Sequence, residues 1–187
     1  MYLTGHVASS LLVAAGVARV RGMRTRLRTV LLPAVLGGVT PDLLDKAILA
    51  LGASRYGRTV GHSLLFLVMG LVVWAVLCDR SSRRASRPAG FWVLGVATHL
   101  LVDLADDAVR GLIAGGQAVY SFFLWPLASP YDWMLRNPNP LGVWPWTVTP
   151  LEVAVLAGLV VWLVWLAVRG RRKPPGRGQI PRWGYFS

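Results

Sequence analysis

Five long apolar runs, divided by arginine clusters, leave this chain very few folds to adopt. Residues 3–20, 29–52, 63–77, 91–113 and 150–168 are dominated by aliphatic and small side chains. The chain after the first, third and fifth runs carries the clusters Arg19 to Arg28, Arg80 to Arg87 and Arg169 to Arg182. A hydrocarbon core of about 30 Å takes about 20 helical residues to cross. Helices also satisfy their own backbone where no water can. The expectation is therefore an all-α, polytopic membrane helical bundle with about five hydrophobic segments. Composition agrees: 55% of the 187 residues are hydrophobic and only 15% charged, too apolar for an ordinary soluble domain.

The formal charge of +12 raises nucleic acid as a partner, but the placement of the cations argues against it. Fifteen of the twenty lysines and arginines fall in the three clusters, with no interleaved stacking aromatics. Positive charge between or after hydrophobic segments marks the cytoplasmic side instead. The reading is a multi-pass inner-membrane protein with five crossings, its N-terminus outside and its C-terminus inside. The first run is not read as a signal peptide, because its charges follow the apolar stretch instead of preceding it. A single cysteine, Cys78, excludes an intramolecular disulfide and a cysteine-rich metal site.

Organisation along the chain is simple. Residues 1–168 form one membrane-embedded domain and 169–187 a basic, flexible cytoplasmic tail. Prolines and tryptophans crowd residues 114–149, which suits an outer interfacial cap. Within the second run, Thr40-Pro41-Asp42 has the pattern of an N-cap followed by a proline at the first helical position. A helix broken near Pro41 is expected there. Ser63 is expected to cap or pack, and Glu152 to serve as a helix-start charge.

The chemistry concentrates in the run containing His99, Asp103 and Asp107, which are spaced i, i+4, i+8 and flanked by Asp106. That spacing puts them near one stripe of a helix. Ionisable groups inside a membrane span are costly and mark function. The predicted topology brings His6, Asp42, His62, His99 and Asp103, from four segments, to one depth in the outer half of the bilayer. Imidazole nitrogens and carboxylate oxygens suit a divalent metal, zinc first and manganese second. These five are the expected ligands, with Asp107 or Asp45 as general base or supporting partner.

The motifs Gly5-His6, Leu36-Gly37-Gly38-Val39-Thr40-Pro41-Asp42, Gly57-Arg58-Thr59-Val60-Gly61-His62-Ser63-Leu64, His99-Leu-Leu-Val-Asp103 and Phe123-Leu-Trp-Pro126-Leu follow one another through most of the chain. In that order they resemble the bacterial inner-membrane family of metal-dependent hydrolases described from a LexA-regulated member. The resemblance implies metal-dependent hydrolysis carried by His6, Asp42, His62, His99 and Asp103. A more distant similarity to zinc-dependent phospholipase C implies a phosphoester, with Arg58 as the phosphate contact. The chain departs from the family's His-Arg-Gly-x-Thr-His-Ser pattern, having Gly57 for the first histidine and Gly61 for the threonine. That departure removes a ligand from any second metal.

The leading expectation is a membrane-embedded hydrolase acting with metal-activated water on a lipid or lipid-linked phosphoester. A transporter is the alternative suggested by a broken helix and buried carboxylates, although no inverted repeat is visible. A non-catalytic scaffold, using its basic clusters to recruit partners or anionic headgroups, is the third.

Overall fold

A computed structural model describes residues 3–23, 26–54, 56–113, 121–127 and 150–171. These form helices α1 (Leu3–Val20), α2 (Leu32–Ala50), α3 (Leu64–Arg80), α4 (Arg83–Ile113) and α5 (Pro150–Arg171). A π-helical turn, Leu27–Leu31, leads into α2, and a 3-10 turn spans Ser121–Leu124. No strand occurs among the described residues. Leu3–Val20, Leu27–Ala50 and Arg83–Val109 are each long and apolar enough to cross a membrane. The basic tail beyond Arg171 and the Pro/Trp-rich region, save residues 121–127, lie outside the described residues.

The bundle is inside-out in the way lipid requires. Large aliphatic side chains of α3, such as Leu65, Val68, Met69 and Val73, are exposed, as are Val160, Val161 and Val164 of α5. The interior is instead made of small residues, which let backbones approach where the hydrophobic effect offers no drive between helices. Ala14, Ala18 and Ala34 pack with Val30 and Phe91 at one end. Helices α2 and α4 meet most closely: a Cβ added at Gly37 would collide with the Trp92 carbonyl, and one at Gly95 with the Ala34 carbonyl. Glycine is therefore required at these two positions by space, not by backbone angle.

Two local expectations change form. Helix α2 runs straight through Pro41, so no new helix starts there. Pro41 gives no N–H to the Gly37 carbonyl four residues back, yet the helix continues through it. Thr40, expected as a cap, instead donates its hydroxyl to Leu36 O at 2.6 Å and accepts from Trp92 Nε1 at 3.3 Å. Helix α4 begins at Arg83, eight residues before the expected apolar start. The second arginine cluster thus winds onto its first turns, and only Ser81 and Ser82 join it to α3.

Because successive helices reverse direction, the N-terminal turns of α1 and α3 share one end of the bundle with the C-terminal halves of α2 and α4. Arg21, Arg83 and Arg87, from the first two arginine clusters, come together at the other end. All the unusual polar residues are at the first end, where the interior changes from alanine to imidazole and carboxylate.

Candidate metal centre

Three imidazoles meet in the interior, one from α1, one from the α2–α3 loop and one from α4. His6, His62 and His99 are each no more than 1% exposed. The His6 and His99 rings stack with centroids 3.7 Å apart, and His62 meets His99 edge-on at 4.9 Å.

The outer nitrogens of two rings are committed. His99 Nδ1 lies 2.7 Å from Gly38 O, a carbonyl that can only accept, so this nitrogen carries the proton. His62 Nδ1 lies 2.7 Å from Asp45 Oδ2 and donates to that carboxylate. Both Nε2 atoms consequently turn inward, 3.1 Å apart. Two imidazole lone pairs at that separation repel unless a small cation, a proton or a metal ion, sits with them. Backbone and carboxylate partners on the far nitrogens are the usual way a protein aims metal-binding histidines.

Carboxylates close around the same point. Asp103 Oδ1 is 3.2 Å from His6 Nε2, and Asp103 Oδ2 is 3.3 Å from His62 Nε2 and 3.7 Å from His99 Nε2. Asp42 Oδ1 reaches to 3.6 Å from His62 Nε2. Two sets of donor atoms are close enough to hold one ion each, His6 with Asp42 and His99, and His62 with His99 and Asp103. Their union is the five residues expected as ligands, and His99 belongs to both. The donor chemistry fits a divalent metal: neutral nitrogens, two carboxylates, and a buried His6 Nδ1 that has no hydrogen-bond partner.

The surroundings explain why the pocket holds its shape. Asp45, completely buried, accepts from Thr59 N at 2.7 Å, Thr59 Oγ1 at 3.0 Å, Gly61 N at 2.9 Å and His62 N at 3.3 Å, besides His62 Nδ1. One carboxylate thus folds the loop onto α2 and fixes the His62 ring. One departure from the family pattern lies here: a Cβ on Gly61 would press on the Pro41 carbonyl. Ser63 caps α3, accepting from Phe66 N at 3.2 Å and donating to Val60 O at 2.7 Å, so it is no nucleophile.

Arg58 completes the network, giving Nη2 to Asp103 Oδ2 at 2.9 Å and Nη1 to Asp107 Oδ2 at 2.7 Å. Its guanidinium lies over the Phe122 ring, 4.9 Å from the centroid. Burial works against the charge of Arg58, but Asp103 and Asp107 outweigh it and raise its pKa. Burial likewise pushes the His62 imidazole down, and its hydrogen bonds to Asp103 and Asp45 more than reverse this. Three carboxylates, of Asp103, Asp107 and Asp42, act on this guanidinium. Buried charge left unbalanced is expensive, so the pocket calls for further positive charge.

A family model described as YdjM inner membrane protein matches residues 1–175. The chain belongs to the YdjM inner membrane protein family. No curated protein and no solved structure matches it. This YdjM-family chain is thus a membrane protein, its apolar helices agreeing with the family description.

The structure brings the five residues named from the sequence into one His/Asp cluster, and three parts of its frame were missed. Phe122, completely buried, sits against both Arg58 and the edge of His62, at 6.1 Å between ring centroids in the second case. Nothing in the Phe122-Phe123 pair distinguishes the buried ring from its neighbour. The Gly38 carbonyl leaves no trace in a side-chain pattern. Thr59 had a usable signal, as the polar residue three before His62 in a short loop.

Proposed function

We propose that this protein is a membrane-embedded, metal-dependent hydrolase whose substrate is a lipid or lipid-linked phosphoester. The observation that carries the reading is the inward-facing pair of imidazole Nε2 atoms, 3.1 Å apart and ringed by the Asp42 and Asp103 carboxylates. His6, Asp42, His62, His99 and Asp103 would hold the ion. A divalent cation in such a set supplies Lewis acidity and a water acidic enough to attack at neutral pH.

The chain's own groups divide the remaining work. Asp45 is saturated with five donors, so it positions His62 and takes no part in proton transfer. Asp107 is 13% exposed and Asp42 16%, whereas the imidazoles are sealed. Substrate therefore approaches along this edge, where Asp107 is the carboxylate placed to take a proton from water. Arg58 fixes Asp103 from the same side and presents the positive charge that an anionic phosphoester would meet. On the reading that the arginine clusters mark the cytoplasmic side, this edge would face outward. Because α2 is unbroken at Pro41, one of the two features that favoured a transporter is missing, and the buried carboxylates are the other.

The test is to purify the full chain in detergent, reconstitute it with zinc or manganese and measure bound metal. Wild type retains at least one ion, His99→Ala retains none, and hydrolysis in a phosphoester panel disappears with chelator and returns with metal. A wild type that holds no metal after reconstitution overturns the reading.

A further inference from the structure

At the arginine-rich end a cavity of about 810 Å³ opens between α1, α3 and α4, lined by none of the histidines. Its size falls in the ordinary range for ligand sites. Leu67, Leu71, Trp74, Val93, Leu94 and Ala97 form its apolar part, and Arg21, Arg83 and Arg87 also line it. Helix geometry keeps the two kinds of lining apart. Arg87 and Ala97 are separated by ten residues of α4, roughly 15 Å of rise, and Cys78 and Leu67 by a similar length of α3.

The charged end is unbalanced. Arg21, Arg83 and Arg87 are exposed, and none of them is ion-paired among the described residues. No acidic residue lines the cavity among the described residues. Arg83 and Arg87 sit on the first turns of α4, which carry no acidic side chain, so the positive end of the helix dipole adds to theirs. A cation placed there is unfavourable unless an anion answers it. The apolar walls end in the lipid-facing surface of α3, whose Val72 and Val76 are exposed.

We propose that this cavity is a binding site for one anionic phospholipid, with the phosphate headgroup on Arg21, Arg83 and Arg87 and an acyl chain along Trp74, Leu71 and Leu94. Basic pockets between membrane helices take such headgroups. A zwitterionic lipid satisfies the apolar walls but cancels its own phosphate charge. At about fivefold per arginine, the three together favour an anionic over a zwitterionic headgroup by roughly a hundredfold.

Trp74 in the wall supplies the readout. The full chain in detergent is titrated with phosphatidylglycerol or phosphatidylcholine carrying brominated acyl chains, and the quenching lost in Trp74→Phe isolates this site from the other tryptophans. Brominated phosphatidylglycerol is expected to quench the Trp74 signal at about a hundredfold lower concentration than brominated phosphatidylcholine. The combined Arg21→Gln, Arg83→Gln, Arg87→Gln variant is expected to erase the difference while keeping wild-type helicity and metal content. Equal quenching by the two lipids in the wild type, which requires no variant, overturns the proposal. So does a preference that survives loss of the three arginines, or quenching that Trp74→Phe leaves unchanged.

Discussion

Replacing Asp45 by asparagine keeps the shape of the side chain and removes one acceptor oxygen and the charge. Its Oδ2 side has three partners, Thr59 N, His62 N and His62 Nδ1, and its Oδ1 side two, Thr59 Oγ1 and Gly61 N. The amide would keep its oxygen toward the three. Its nitrogen would then face the Gly61 N–H, leaving a buried donor without an acceptor at a cost of about 2 kcal/mol. The Thr59 hydroxyl can turn to accept. The two bonds at 2.7 Å lose their charge assistance, about 1 kcal/mol each. The total is about 4 kcal/mol, in the range for breaking a buried ionic network. At about 2–4 °C per kcal/mol, thermal unfolding followed by tryptophan fluorescence should fall by about 10 °C. The same change frees the His62 ring, so zinc affinity measured against a chromophoric chelator should fall about 10- to 100-fold. An Asp45→Asn protein that unfolds within about 2 °C of wild type and binds zinc within about threefold refutes the assignment, because the substitution leaves packing intact.

Three further outcomes check other parts of the structure. Gly37→Ala and Gly95→Ala force α2 and α4 apart and should abolish the monodisperse peak in detergent size exclusion, whereas Gly16→Ala, with nothing within 4 Å of its Cβ, should elute like wild type. A double-mutant cycle with Arg58→Gln and Asp107→Asn should give a coupling of about 1.5 kcal/mol or more in unfolding, and one below about 0.5 kcal/mol shows the 2.7 Å pair to be screened. Zinc at about a hundred times its Kd should stabilise the wild type by about 2.7 kcal/mol and His99→Ala not at all. An equal shift in both proteins places the ion elsewhere.

The number and type of elements were legible because a lipid-facing helix writes itself into composition: five apolar runs became five helices. Their limits were less so. Arginines 83, 84 and 87 read as a loop because charge ends an apolar run, yet a helix can continue into the interface with charged side chains reaching water. Pro41 was misread for a related reason. Thr-Pro-Asp is a local start signal, but the Thr40 hydroxyl is turned to Leu36 O and to Trp92 of another helix, and α2 continues. Local propensity yields where tertiary contact supplies the missing partner.

The candidate site was legible for a stronger reason. A membrane interior tolerates an ionisable group only beside a partner, so each such group in an apolar run announces that others share its depth. Alternating helix direction then ties depth to sequence position. His6 near the start of one segment and His99 just past the middle of another reach one layer. What this logic cannot reach is the rotation of each helix. Asp106 and Asp107 are neighbours at almost the same depth, yet Asp107 reaches Arg58 at the edge and Asp106 is sealed inside at 1% exposure. Which of the two faces the histidines depends on about 100° of helical turn. Helices α2 and α4 touch at Gly37 and Gly95, where neither has room for a Cβ, so a side chain at either glycine would disturb that rotation and with it the placing of both carboxylates.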